Sequence, residues 1–286
     1  MSIISHGYSS DKESCGADPR ITKLKNELSE FELGRFLLGN LGLNGRWTSY
    51  VLMYPDRGRA SNLSSDGSQL KELESWLLNR CPIFAATQER FRIFRELTQP
   101  LLCSDMKIAS LPSGLMDDLL TLDYSSVDNV EVTAIDLDSD SLEAARINHK
   151  QLNTPVAVKF EQRDAWALDS FERWDLITSN GLNIYVAEDE SCTDLYRSIS
   201  KSLKPGGMFV MSFITPPDRW EPKSPEDLAQ QRFLFTNVMP VRWSCVRDES
   251  KTRQQLDAAG FEVVSIRYDS QRMFPAVLAR KLSSRS

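Results

Sequence analysis

Three residues pose the first chemical question in this chain: Gly114, Asp136 and Asp164. Gly114 lies in Pro112-Ser113-Gly114, just after the apolar run 106–111. A residue without a side chain lets backbone approach a ligand closely, and the N–H groups of a following helix can face an electronegative group. Asp136 closes a second run, Glu131-Val-Thr-Ala-Ile-Asp136, 22 positions beyond Gly114. A carboxylate so placed can accept hydrogen bonds from both hydroxyls of a ribose. Asp164 lies in Arg163-Asp164-Ala165, after a third run. Its carboxylate can accept from an exocyclic amine while the Ala165 N–H donates to a ring nitrogen. In this order the residues describe a nucleotide-type cofactor lying across the carboxyl edge of a parallel sheet. Plainer roles compete. The glycine turn can be an ordinary strand-to-helix connection, Asp136 or Asp138 can cap the next helix, and Asp164 can be a solvated loop acid.

Further candidates follow the run that starts at Trp174. In Ser179-Asn180-Gly181-Leu182-Asn183-Ile184-Tyr185, Asn180 can hydrogen-bond a cofactor or substrate. Asn183 and Tyr185 are candidates for substrate contact, Tyr185 by stacking. Asn and Gly also favour turns, and Tyr185 can equally be core. Arg46 and Tyr50, in an aromatic segment ahead of the first strand, can fold over the crevice or simply pack. The two histidines are His6, near the start, and His149, late in an amphipathic segment where exposure is expected. Neither is placed to act as a general base. Five scattered cysteines show no metal-ligand spacing, which points to reduced thiols in the cytoplasm and to no metal site. The net charge of −6 argues against a large nucleic-acid surface. No apolar run reaches the ~18 residues needed to span a bilayer, and no charged-then-apolar leader is visible.

The elements that must hold these residues show a change of period. Helical spacing is expected over 21–41, 70–79 and 87–97, with a short helix or strand at 46–54. Short strands are expected at 108–111, 132–135, 156–160, 176–179 and 208–214, alternating with helices at 116–122, 140–152 and 189–203. Asp140-x-x-Glu143 looks like a capping box. Lys204-Pro205-Gly206-Gly207 should end a helix and start a strand. Strands alternating with helices indicate a parallel sheet with right-handed crossovers. After the Pro- and aromatic-rich stretch 215–246 comes a helix at 250–259. Final strands at 262–268 and 276–281 are joined too closely for a crossover and should pair antiparallel.

Over 106–281 these features resemble class I S-adenosylmethionine-dependent methyltransferases. The strongest likenesses are Asp136, Asp164-Ala165, Leu203-Lys-Pro-Gly-Gly207, Ala258-Ala-Gly-Phe-Glu262 and the reversed last strand. The first-strand motif of that family reads as an acid followed by Gly-x-Gly-x-Gly. Here Ser110 stands at the acid and Pro112, Gly114 and Met116 at the glycines, so only Gly114 is kept. The resemblance implies a Rossmann-like α/β fold: a seven-stranded, mostly parallel sheet with an antiparallel last strand and helices on both faces. Composition marks 1–20 as a tail and helical spacing marks 21–100 as a cap, ahead of a methyltransferase domain over 101–286 in which 215–246 can be a substrate lid or contribute its aromatics to the core. S-adenosyl-L-methionine would contact Ser110, Pro112, Gly114, Asp136, Leu137, Asp164, Ala165, Asn180 and Tyr50. The acceptor would meet Asn183 and Tyr185. Proline supplies no N–H and Ser110 no carboxylate, so either cofactor affinity is lower or another group meets the cofactor's ammonium, with Asp117 and Asp118 as nearby candidates. The implied reaction is methyl transfer to a nucleophile on a small molecule, with a protein acceptor next and nucleic acid disfavoured. The altered turn keeps a second role open, a catalytically inactive binding or scaffold member of the fold. A nicotinamide-dependent oxidoreductase would need a fuller glycine fingerprint and no terminal hairpin.

Overall fold

The computed structural model describes residues 18–40, 42–239 and 245–283. Most of the expected tail, with His6 and Cys15, lies outside these residues, as does Trp243. Among the described residues five α-helices precede the sheet. The period expected as one helix over 21–41 forms two, α1 (Pro19–Ser29) and α2 (Glu32–Gly39). Asp18 caps the first, accepting the Arg20 N–H at 2.9 Å. The segment expected as helix or strand is α3 (Gly45–Met53), capped by the Asn44 side chain, which accepts the Trp47 N–H at 3.1 Å. Then come α4 (Glu72–Asn79) and α5 (Pro82–Thr98). α5 begins earlier than the expected 87 because Pro82 sits in its first turn, where a missing N–H costs no helical bond.

The alternating elements are β1 (Lys107–Ser110), α6 (Asp117–Leu120), β2 (Glu131–Asp136), α7 (Ser139–Leu152), β3 (Ala157–Gln162), β4 (Trp174–Ser179), α8 (Asp189–Ser202) and β5 (Leu203–Ser212). They are followed by α9 (Pro225–Phe233), α10 (Glu249–Ala258), β6 (Phe261–Arg267) and β7 (Ala276–Lys281). The described strands form one sheet in the order β3-β2-β1-β4-β5-β7-β6. Strands β1 to β5 pair in parallel, and β7 runs antiparallel to both β5 and β6. The Rossmann-like architecture expected from the sequence is therefore present.

Alternation along the strands sends side chains to two cores. Ile108, Val132, Leu176 and Val210 pack with Phe94 of α5, Leu119 of α6 and Leu142 of α7. Ala109, Ile135, Ile177 and Phe209 pack on the other face with Tyr196 of α8 and Leu256 of α10. A third core joins the N-terminal helices to the stretch after β5: Leu28, Phe31, Trp76 and Leu77 meet Leu234, Val238 and Met239. Polar contacts fasten this junction. Trp76 Nε1 donates to Asp227 Oδ1 at 2.8 Å, and the Ile83 N–H donates to Gln231 Oε1 at 2.7 Å.

Some local expectations shift. α7 is capped by Asp138, which accepts from the N–H groups of Asp140 (3.2 Å) and Ser141 (3.1 Å), so no box forms at Asp140; Glu143 instead pairs with Arg146. α6 is shorter than the expected 116–122. Thr121 leaves the helical region, and its hydroxyl donates to the Asp117 carbonyl at 2.6 Å. β5 starts at Leu203, before Pro-Gly-Gly, because Leu203 already pairs with Trp174; Lys204–Gly207 bulge before pairing resumes at Met208 and Leu176. His149 is half-buried rather than exposed, with Nε2 3.1 Å from the Val156 carbonyl oxygen.

Candidate functional site

The carboxyl ends of β1, β2 and β4 meet at one cavity of about 320 Å³. That falls in the range of small-ligand pockets, ~300–1,000 Å³. Of the sequence candidates, Ser110, Pro112, Gly114, Asp136, Asn180 and Tyr185 line it. The turn after β1 is bonded inward to β2. The Ser113 N–H donates to the Ile135 carbonyl at 2.8 Å, and the Gly114 N–H donates to Asp136 Oδ2 at 3.1 Å. Asp136 Oδ1 accepts the Asp138 N–H at 3.1 Å. Gly114 has φ +48, and a Cβ built there meets nothing within 4 Å, so the turn borders open space.

Charge is concentrated where the turn enters α6. Asp117 and Asp118 are both buried and both line the cavity. Asp117 Oδ1 accepts from Asn148 Nδ2 at 3.1 Å. Burial, followed by the neighbouring Asp117 charge, pushes the Asp118 carboxyl up to about 7. The opposite wall is helical and mostly apolar. α3 turns Gly45, Thr48, Ser49 and Leu52 toward the cavity, and α5 turns Ile83, Phe84, Thr87, Arg90 and Phe91. Burial pulls the Arg90 guanidinium down to about 10.

Asn180 Oδ1 accepts from Ser212 Oγ at 3.0 Å, which fixes its amide beside β5. Tyr185 is exposed at the rim. Asn183 lies behind the lining and is buried. Its carbonyl accepts from Arg247 Nη1 at 3.0 Å, while Arg247 also donates to the Val186 carbonyl at 2.8 Å and to Asp189 at 3.1 Å. Leu137, Asp164 and Ala165 lie outside the cavity, on the β2–β3 side of the same sheet edge. Leu137 is exposed and its carbonyl accepts from Gln162 Nε2 at 3.1 Å. Asp164 Oδ1 accepts the Trp166 N–H at 3.0 Å. Tyr50 faces away from the cavity and donates to Glu74 Oε1 at 3.1 Å. Arg46 pairs with Glu32 at 3.4 Å.

Sequence reasoning did not single out Arg90, Phe91 or Phe274 as cavity residues; Phe235, from the candidate lid 215–246, also lines the cavity. One signal was available: Arg90 interrupts the apolar face formed by Ile83, Phe84, Phe91 and Phe94. A charge on such a face is either costly or used.

Residues 105–257 match the family model for a methyltransferase domain, just over half of the chain. Among solved structures, a Bordetella parapertussis protein described as a possible exported protein is 38% identical, with a TM-score of 0.84 over 93% of this chain and 88% of that one. A SAM-dependent methyltransferase from Methanosarcina mazei is 16% identical, with a TM-score of 0.53 over 65% of this chain and 97% of its own. A magnesium protoporphyrin IX methyltransferase from Synechocystis, with SAH bound, is 12% identical, with a TM-score of 0.53 over 82% and 96%. The last two establish likeness of fold alone. No curated protein matches the chain.

Proposed function

We propose that this chain, which belongs to the methyltransferase-domain family, transfers a methyl group from S-adenosyl-L-methionine to a nucleophile on a small molecule. The supporting observation is a set of three carboxylates, Asp117, Asp118 and Asp136, lining the cavity beside the open face of Gly114. That donor set suits a ligand bearing a ribose diol and positive charge. Each Asp136 oxygen accepts one N–H and keeps acceptor capacity for a ribose hydroxyl. Asp117 or Asp118 would hold the ammonium in place of the carboxylate that Ser110 lacks. Ser110, Pro112 and Gly114 would border the methionine end, with Leu137, Asp164 and Ala165 toward the adenine. Asn180 would hydrogen-bond the cofactor or the acceptor, and Tyr185 would orient the acceptor. Asn183 would act through its loop, and Tyr50 by holding α3 against Glu74.

Bound there, S-adenosyl-L-methionine supplies a methyl group on a sulfonium, an activated leaving group. The walls from α3 and α5 exclude water and align the acceptor, and such alignment can contribute ~7–11 kcal/mol. Asp118, with its carboxyl pushed up to about 7, is suited to take a proton from an amine or hydroxyl near neutral pH. The described cysteines Cys81, Cys103, Cys192 and Cys245 are free thiols, which favours a reducing compartment such as the cytoplasm.

One observation favours a second reading, a binding or scaffold protein without catalysis. The Ser113 and Gly114 amides, which could cradle a ligand, are bonded within the protein. A thermal-shift comparison separates the readings. Ligands that bind the native state raise its stability by mass action. A rise with S-adenosylhomocysteine but not NADH supports the methyl-donor site, and label transfer from S-adenosylmethionine then tests catalysis. No rise with either ligand favours the scaffold, and a rise with NADH alone sinks methyl transfer.

A further inference from the structure

Arg90 is a buried cation without an ion-pair partner among the described residues. It is 7% exposed, lines the cavity, and its Nε has no hydrogen-bond partner. It forms no ion pair with another described residue; its guanidinium lies over the Phe274 ring, 4.7 Å from the centroid. Tyr185, then Asp269 and Asp118, favour its charge from a distance. Asp269 is committed elsewhere, accepting the N–H groups of Gln271 at 2.9 Å and Phe274 at 2.6 Å. Asp118 holds its proton for part of the time at neutral pH, so it compensates the cation incompletely. The guanidinium fork, which matches a carboxylate in two parallel hydrogen bonds, makes no side-chain ion pair among the described residues.

Its position separates it from the donor's path. Apart from Asn180 after β4 and Tyr50 in α3, the residues assigned to the donor follow β3, β2 and β1 in sheet order. Arg90 lies beyond them. A Cβ built on Gly181, just after β4, would stand 3.7 Å from Arg90 Nη1, and Phe274 lies two residues before the start of β7. The cavity that Arg90 lines also carries the apolar side chains of Phe84, Phe91, Phe235 and Leu52.

We propose that Arg90 receives the carboxylate of the methyl acceptor, and that the acceptor is a small acid with an apolar body. The assignment rests on the methyl-transfer reading of this cavity. A carboxylate could come from two sources, the acceptor or the amino-acid end of the donor, and the test separates them.

The full chain is titrated calorimetrically with 2-naphthoate and with its neutral isostere 2-naphthamide, with and without saturating S-adenosylhomocysteine. The latter is also titrated alone. Wild type, Arg90→Gln and Arg90→Lys are compared. Wild type should prefer the acid by about tenfold or more, the scale of a charge-assisted hydrogen bond. The preference should vanish in Arg90→Gln and persist in part in Arg90→Lys. S-adenosylhomocysteine affinity should stay within about twofold in both variants, less than one lost hydrogen bond would cost. Absence of an acid preference in wild type overturns the proposal without any variant. Loss of S-adenosylhomocysteine affinity in Arg90→Gln, with the acid preference intact, assigns the carboxylate to the donor and also overturns it. If wild type prefers naphthoate but binds no S-adenosylhomocysteine, the carboxylate site stands and the methyl-transfer reading falls.

Discussion

The substitution Asp118→Asn should make the folded chain more stable at alkaline pH and remove part of its pH dependence. Asp118 is buried at the start of α6. Burial and the adjacent Asp117 charge raise its carboxyl from 3.8 to about 7, against the opposing effect of N–H groups at Asp118 and Leu119. The unfolded chain ionises near 3.8. Between that value and about 7 the folded state keeps a proton that the unfolded state has released. Stability from this group is therefore greatest below 3.8, falls as pH rises, and levels off above about 7. At about 1.4 kcal/mol per pH unit, the whole interval amounts to roughly 4 kcal/mol. That is a large fraction of the ~5–15 kcal/mol by which domains are stable.

The introduced amide cannot ionise, so comparing the two proteins isolates this residue from the other titrations. Urea unfolding from about pH 4 to about pH 8 would supply both curves. The variant's advantage should be near zero at the acid end and grow to roughly 3–4 kcal/mol at the alkaline end. A constant difference across the series would mean that Asp118 titrates alike in both states, refuting the burial reasoning. A variant that loses ground as pH rises would mean that ionised Asp118 is a needed partner, with Arg90, whose charge it favours, the candidate.

Asp136→Ala should weaken S-adenosylhomocysteine binding more than about tenfold, because two charge-assisted hydrogen bonds would be lost; unchanged calorimetric affinity would remove the ribose assignment. Arg247→Ala takes away a buried guanidinium that bonds the carbonyls of Asn183 and Val186 and the Asp189 carboxylate. Denaturant unfolding should show a loss of about 2–4 kcal/mol. Gly34→Ala would put a Cβ 2.1 Å from the Leu28 carbonyl oxygen, a backbone atom that cannot rotate aside. Unfolding measurements should show a cost of about 3 kcal/mol, at the high end for overpacking.

The sheet was legible because its pattern is redundant. β1 and β2 have helical spacing on both sides and β3, β4 and β5 on at least one, and the terminal hairpin follows from a connection too short for a crossover. What was less legible lies where tertiary pairing decides between local options. Asp138 and Asp140 both suit an N-cap, and only the way β2 delivers the chain selects Asp138. Pro-Gly-Gly reads as a strand start, yet Leu203 is already paired to Trp174 across a bulge. The break between α1 and α2 depends on a close crossing at Gly34 that no period reveals.

The site divides along the same line. Its sheet-edge half was readable because strand order alone brings Gly114, Asp136 and Asn180 together. Its helical half was not, because the inward face of each helix is set by packing between distant segments. α3 shows why. Gly45, Thr48, Ser49 and Leu52 recur at helical spacing and face the cavity, which turns Tyr50 toward Glu74. The orientation follows from how closely α3 approaches the turn after β1: a Cβ on Gly45 would stand 3.0 Å from Leu115 Cδ1 and 3.7 Å from Gly114 Cα. The altered glycine turn and the N-terminal helices are thus parts of one arrangement. The turn bonds inward to β2, the helix packs on its outer side, and buried acids line the space between them. A ligand in this cavity meets side chains from Asp117, Asp118, Asp136 and Arg90 where a glycine-rich turn would offer backbone amides.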